Sequence, residues 1–139
     1  MSDRAFIDTN VLICAHDSEA GRKHEIASKL IQELWATHLG VLSTQVLQEF
    51  YVNITTKIPK PLPKPAAAAY VEHYFVWPVI RLSTVTIRKA FEIETRNKLS
   101  FWDALIVSAA FQAGAAKILS EDLNAGQKIA GIVIVNPFV

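Results

Sequence analysis

The chain has 139 residues, 51% hydrophobic and 19% charged, with a formal net charge of +1. That length suits one domain with a full core, so residues 1–139 are read as a single unit, and the apolar content excludes a disordered chain. No apolar run reaches the ~18 residues of a membrane span, and the first ten residues, MSDRAFIDTN, lack the apolar stretch of a secretory signal.

In chain order, Arg4–Asp8 reads as a short buried strand that stops at a carboxylate. Thr9 or Asn10 is placed to cap a helix through VLICAHD. A longer amphipathic helix is predicted from about Ser18 to Thr37, with Ile26, Leu30 and Leu34 at i, i+4 spacing and Ala27 and Ile31 beside them. Gly40 ends it, and Val41–Leu42 is a short strand. Ser43 and Thr44 start the next helix, whose apolar positions Val46, Leu47, Phe50 and Ile54 share one face. Residues 58–65, IPKPLPKP, read as a polyproline-like connector. AAAAYVEHYF is helical, Pro78–Leu82 a strand, and Thr84–Asn97 a helix with Ile87, Ala90 and Phe91 inward. Ser100 starts a helix that ends at Gly114. Ala116–Leu119 and Ile132–Val135 are strands. Short strands alternating with helices predict a parallel sheet covered by helices.

The mean hydropathy of +0.25 suggests apolar surface covered by a partner. Cys14 stands alone, which rules out a disulfide framework and a cysteine-based zinc site and makes a cytoplasmic chain the default. His16, His24, His38 and His73 form no ligand spacing. Charge is uneven: residues 1–56 carry net −3, residues 57–98 net +5 and residues 99–139 net −1. The basic middle is either a phosphate-attracting surface or an ordinary solvated face. Within it, Lys57, Lys60 and Lys64 alternate with prolines, and Arg88, Lys89, Arg96 and Lys98 form a second group; both are candidate RNA contacts. Trp102 is read as core rather than as a base-stacking platform, since aromatics before a buried helix usually pack and a platform needs exposure.

Four acids carry the chemical argument. Parallel sheets bind ligands just outside the carboxyl ends of their strands. Asp8 ends the first strand, and Asp122 follows the strand KIL within SEDLN, so topology draws both to one rim. Asp103 heads an almost wholly apolar helix, where Ser100-x-x-Asp103 also fits a capping box. Glu49 lies at the border of an apolar helical stripe, where it could equally reach to water. Carboxylates gathered at one rim repel one another, and a hard divalent cation relieves that repulsion. Oxygen-only donors suit Mg²⁺ or Mn²⁺, which act on phosphodiesters. Thr9, Asn10, Ser43 and Ser120 are placed to orient the carboxylates.

DTNVL at 8–12, STQVLQEFYV at 43–52, SFWDALIVSAA at 100–110, and LSEDLNAGQKI with VNPF at 119–129 and 135–138 resemble PIN domains, and more narrowly the VapC-type toxins of bacterial toxin–antitoxin pairs. The resemblance spans nearly the whole chain apart from about 57–80. It implies a three-layer α/β/α sandwich around a mostly parallel sheet. It implies Mg²⁺- or Mn²⁺-dependent endoribonuclease action on RNA such as tRNA or rRNA. Asp8, Glu49, Asp103 and Asp122 take the positions of the family's catalytic, metal-holding acids, with Asp122 chosen over its neighbour Glu121 by the family pattern. Asn10 and Ser120 fall on the family's polar positions. A homodimer inhibited by a small antitoxin protein is further implied.

Other readings fit less well. An aspartate-nucleophile phosphatase needs a second acid two residues after the first, where Asn10 stands. A receiver-type signalling domain needs paired acids at the first strand end, where Ile7 precedes Asp8. A non-catalytic RNA-binding or protein-interaction module on the same fold predicts missing acids, whereas all four are present.

Overall fold

The computed structural model describes residues 3–139. Its elements in order are β1 (Ala5–Ile7), α1 (Thr9–His16), α2 (Arg22–Thr37), β2 (Gly40–Ser43), α3 (Thr44–Thr56), α4 (Lys64–Tyr74), β3 (Val79–Ile80), α5 (Thr84–Asn97), α6 (Phe101–Gln112), β4 (Lys117–Leu119), β5 (Lys128–Ile129) and β6 (Ile132–Val135). The described residues form a six-stranded sheet in the order β3-β2-β1-β4-β6-β5. All pairings are parallel except β5 with β6. The predicted α/β class and mostly parallel sheet are therefore what the chain adopts.

The strand order dictates the layers. From β1 the chain steps outward to β2 and β3, then returns past β1 to β4. Parallel crossovers are right-handed, so α1–α4 cover one face and α5–α6 the other. The packing agrees: α1 lies on α2 and α3, α3 on α4, and α5 on α6. Between the layers, Phe6, Ile7, Leu42, Val46, Phe50 and Ile118 are fully buried. The predicted face of α3 holds, with Val46, Leu47, Phe50 and Ile54 all buried. So does the apolar character of α6, where every residue from Ala104 to Ala110 is buried.

Several local expectations need correction. Asp8 itself caps α1, accepting from Thr9 N at 2.8 Å, and displaces Thr9 and Asn10 from that role. The second helix starts at Arg22 rather than about Ser18. The Asp17 carboxylate accepts from Glu19 N at 3.0 Å and Asp17 O accepts from Ala20 N at 3.0 Å, which closes a turn first. Its buried face is Ala27, Ile31 and Leu34, with Ile26 and Leu30 at the border. In α5 the buried residues are Thr86, Ala90 and Ile93, while Ile87 and Phe91 are exposed. Polar contacts set that rotation: the Ser108 hydroxyl donates to Thr86 O at 2.8 Å and the Thr86 hydroxyl donates to Gln112. The proline connector is shorter than predicted, because Lys64 and Pro65 open α4. Proline is tolerated there, since a first-turn N–H has no helical partner. The strand predicted over Pro78–Leu82 contracts to Val79–Ile80.

Gly40 begins β2 for a packing reason. A Cβ there would sit 2.7 Å from Cε3 and Cη2 of Trp77 and closer still to Cζ3. The helix before it ends at His38, which takes a left-handed conformation and donates its N–H to Leu34 O at 3.0 Å.

Candidate active-site cleft

The sheet order reverses between β1 and β4, and the crevice outside their carboxyl ends is where an open parallel sheet binds ligands. Asp8 leaves β1 and Asp122 follows β4 at that point. Glu49 projects from α3 and Asp103 from the first turn of α6. All four acids line one open cleft of about 620 Å³, together with Thr9 and Asn10. The acids come from four separate stretches of chain, and the topology brings them together.

Asp8 is the most constrained of the four. It is 6% exposed. Its Oδ1 accepts from Thr9 N at 2.8 Å, and its Oδ2 accepts from the Ser120 hydroxyl at 2.8 Å and from Asn10 Nδ2 at 3.3 Å. Burial raises its pKa from the ordinary 3.8 to about 6. The bonds from Ser120 and Thr9 N act against burial, and the negative fields of Asp103 and Asp122 act with it.

Asn10 ties the two strand ends together. Its Nδ2 donates to Asp122 Oδ2 at 3.0 Å, and its Oδ1 accepts from Glu121 N at 3.1 Å. Ser120, fully buried, accepts from Asp122 N at 3.1 Å and Leu123 N at 3.3 Å while donating to Asp8. The Thr9 hydroxyl donates to Glu49 Oε1 at 2.6 Å, linking α1 to α3. Ser43 is placed otherwise: it caps α3, accepting from Val46 N at 3.3 Å. Among the described residues no hydrogen bond joins Ser43 to a carboxylate.

Glu121 pairs with Lys23 at 2.7 Å, whereas Asp122 lines the cleft. Asp103 N donates to the Ser100 hydroxyl at 3.1 Å, which is half of a capping box. Among the described residues, no hydrogen bond or ion pair engages the Asp103 carboxylate, and none of the four acids is in an ion pair.

Among the described residues, no three of His, Cys, Asp and Glu converge closely enough to form a metal cage as they stand. The donor chemistry nonetheless suits a hard cation. It is all carboxylate, lies in one cleft, and leaves Asp8 burdened by its neighbours' charge. Asp103 is unbonded, and Asp122 is held through one oxygen, so both side chains retain freedom to close.

The basic candidates are dispersed. Lys57, at the end of α3, is the only basic residue lining the cleft among the described residues. Lys60 pairs with Glu19 at 2.8 Å, and Lys64 is exposed at the start of α4. Lys89 lies 3.7 Å from Glu92 and 4.5 Å above the ring of Phe111. Arg88 and Lys98 are exposed, and Arg96 lies 3.6 Å from Glu92.

Two cleft residues were not anticipated. Gln45 is buried beneath Glu49, its Nε2 reaching Glu49 Oε2 at 3.5 Å and Trp102 O at 3.4 Å, while its buried Oε1 has no partner among the described residues. Trp102, expected in the core, is 65% exposed at the cleft's edge. Phe101, half-buried with its ring 5.7 Å from that of Phe91, takes the packing position instead.

A helix-covered parallel sheet with a carboxylate-lined cleft at its switch point defines the architectural class. The chain belongs to the PIN-domain family, whose model matches residues 5–130. No protein of curated function matches it. Among solved structures it is similar to Mycobacterium tuberculosis VapC20, a sarcin-ricin loop cleaving toxin. Identity is 22%, coverage is 85% of this chain and 91% of that one, and the TM-score is 0.65. It is similar also to a toxin–antitoxin complex from Klebsiella pneumoniae (22% identity, 96% and 97% coverage, TM-score 0.68). DNA-bound VapBC from Salmonella typhimurium resembles it too (20% identity, 96% and 97% coverage, TM-score 0.64). At these identities the likeness concerns the fold. No helix among the described residues is long and apolar enough to cross a membrane.

Proposed function

We propose that this protein is a divalent-metal-dependent endoribonuclease and the toxin of a toxin–antitoxin pair. The observation that carries this reading is the gathering of Asp8, Glu49, Asp103 and Asp122 in one cleft with no ion pair to any of them among the described residues. Uncompensated carboxylates at a ligand-binding crevice raise free energy unless a cation joins them. In this reading the four acids hold Mg²⁺ or Mn²⁺, which when bound supplies phosphate polarisation and a lowered pKa for the attacking water.

The chain's own residues divide the remaining work. Ser120 and Thr9 N fix both oxygens of Asp8. Asn10 keeps Asp122 aligned with Asp8, and Thr9 turns Glu49 toward them. Asp103, with no hydrogen bond or ion pair to its carboxylate among the described residues, is free to turn toward a cation held by the other three. Lys57 at the mouth contacts a substrate phosphate.

By likeness to the toxin–antitoxin structures, we assign the protein a cognate antitoxin; the family resemblance adds a homodimeric state, and the lone Cys14 favours a cytoplasmic place of action. The substrate class is RNA, with tRNA and rRNA the first candidates. VapC20's description as a sarcin-ricin loop cleaving toxin supports structured RNA. The test is total RNA incubated with purified protein, with and without Mn²⁺, against Asp103→Asn. The wild type should cut at discrete sites only with metal, and the variant, folded by circular dichroism, should lose ~100-fold or more of that activity. Wild-type protein that binds RNA and never cuts it would assign the fold to a binding module instead.

A further inference from the structure

We infer that the indole of Trp102 is a stacking platform for an unpaired nucleobase of the substrate, seated beside the phosphate to be cut; this rests on the ribonuclease reading above. Three observations carry it. First, the fold does not need this ring. Trp102 is 65% exposed at the start of a helix whose next seven residues, Ala104–Ala110 after Asp103, are all buried. Phe101, not Trp102, packs against the core at this corner, and the indole touches the fold through Phe101 while most of it stays in solvent.

Second, the ring is presented from fixed backbone. Trp102 O accepts from Gln45 Nε2 at 3.4 Å, and Gln45 is itself 6% exposed. The indole and the Phe101 ring meet in a T-shaped contact, with ring centroids 5.5 Å apart and planes at 70°. A pre-set aromatic surface loses little entropy on binding.

Third, the cleft's charge makes such a contact necessary. Four carboxylates and one lysine line it, so the protein surface repels a polyanion there. A divalent ion and Lys57 offset part of that repulsion, and the rest calls for a contact that does not depend on charge. Stacking on an indole meets that requirement and accepts any base, since every base has a π-face. Trp102 and Asp103 are adjacent in the chain, so a base on the ring places its own backbone at the acids. A paired base cannot lie there, so the substrate segment is single-stranded or splayed.

The experiment uses the difference among the three tryptophans. Trp77 is 7% exposed, and Trp35 packs against His73, Tyr74 and Trp77, leaving Trp102 as the solvent-facing one. A short mixed-sequence single-stranded RNA is titrated into the Asp103→Asn protein with Mg²⁺, followed by tryptophan fluorescence. Quenching is expected, and it should vanish when Trp102→Phe is added. In the otherwise wild-type protein, Trp102→Ala and Trp102→Leu should raise KM for the RNA that the wild type cuts by about tenfold or more. Their kcat should stay within about twofold, and Trp102→Phe should restore most of the affinity. No quenching, an unchanged KM, or a leucine variant as good as the wild type would overturn the inference. So would a changed oligomeric state in the alanine variant by sedimentation, which would assign the ring to a protein interface. Were the wild type to cut no RNA at all, the ribonuclease reading would fall, and the fluorescence titration would still decide whether Trp102 meets a base.

Discussion

Asp8 is the residue at which stability and function conflict most plainly. Its folded pKa of about 6 lies above the ordinary 3.8. The folded chain therefore holds a proton that the unfolded chain releases. The resulting stabilisation is complete below about 3.8 and is lost as pH rises through about 6. At neutral pH the ionised group is a burden of about 1–3 kcal/mol. Asparagine keeps one oxygen for the cap at Thr9 N but turns its amide NH2 toward the Ser120 hydroxyl and Asn10 Nδ2, which offsets the relief of a buried charge, so Asp8→Asn should leave the stability of the metal-free protein at pH 7 within about 1 kcal/mol in urea unfolding while abolishing RNA cleavage. His16 acts with the opposite sign. Burial among Phe50, Tyr70 and Tyr74 lowers its pKa from 6.5 to about 4, so its contribution is present above 6.5 and lost as pH falls toward 4. Between those values the two slopes oppose each other in the wild type. Asp8→Asn should therefore leave a protein whose stability falls more steeply with acid, and a variant whose acid profile matched the wild type's would contradict the assignment.

Asp8, Asp103 and Asp122 were legible as candidates because they stand at a strand end, a helix start and a turn after a strand, and Glu49 because it borders an apolar stripe. Gln45 and Trp102 were not. Gln45 is one polar residue in a helix, and its burial depends on Glu49 and on the carbonyl of Trp102, 57 residues on. Trp102 and Phe101 are neighbours of similar hydropathy, and the sequence contains no signal for which of them turns inward.

At the scale of elements, helices longer than ten residues were readable and short strands were less so. The bounds of α5 and β6 agree with their predicted spans, because an apolar period or run fills each. The strand β5 escaped notice: it has two residues, and its hairpin turns through Ala130 and Gly131, both with positive φ, rather than through an Asn-Gly signal. The stripe read for α2 contains its buried residues Ala27, Ile31 and Leu34, whereas the face of α5 was read about one residue position off, since the Thr86–Ser108–Gln112 contacts set its rotation. Gly40 shows the same dependence on distant sequence. Its lack of a side chain looked like a helix stop, yet it is the indole of Trp77 that excludes a Cβ. Gly40→Ala should cost about 1–3 kcal/mol in urea unfolding, and pairing it with Trp77→Leu should recover part of that loss. A Gly40→Ala protein as stable as the wild type would show that Trp77 yields at no cost.

Over the whole molecule, topology does what no single motif can. A sheet that grows outward from β1 in one direction and then in the other leaves one crevice at the β1–β4 boundary, and the loops after both strands must meet there. Helices α3 and α6, from opposite layers, deliver Glu49 and Asp103 to the same crevice. The most direct test of the account is a calorimetric titration of RNA-free protein with Mn²⁺, comparing the wild type with Asp8→Asn and Asp103→Asn. Saturable binding by the wild type and at least about tenfold weaker binding by each variant are expected, because each variant loses one charged oxygen donor. Equal affinity in all three proteins, or no binding by the wild type, would contradict it.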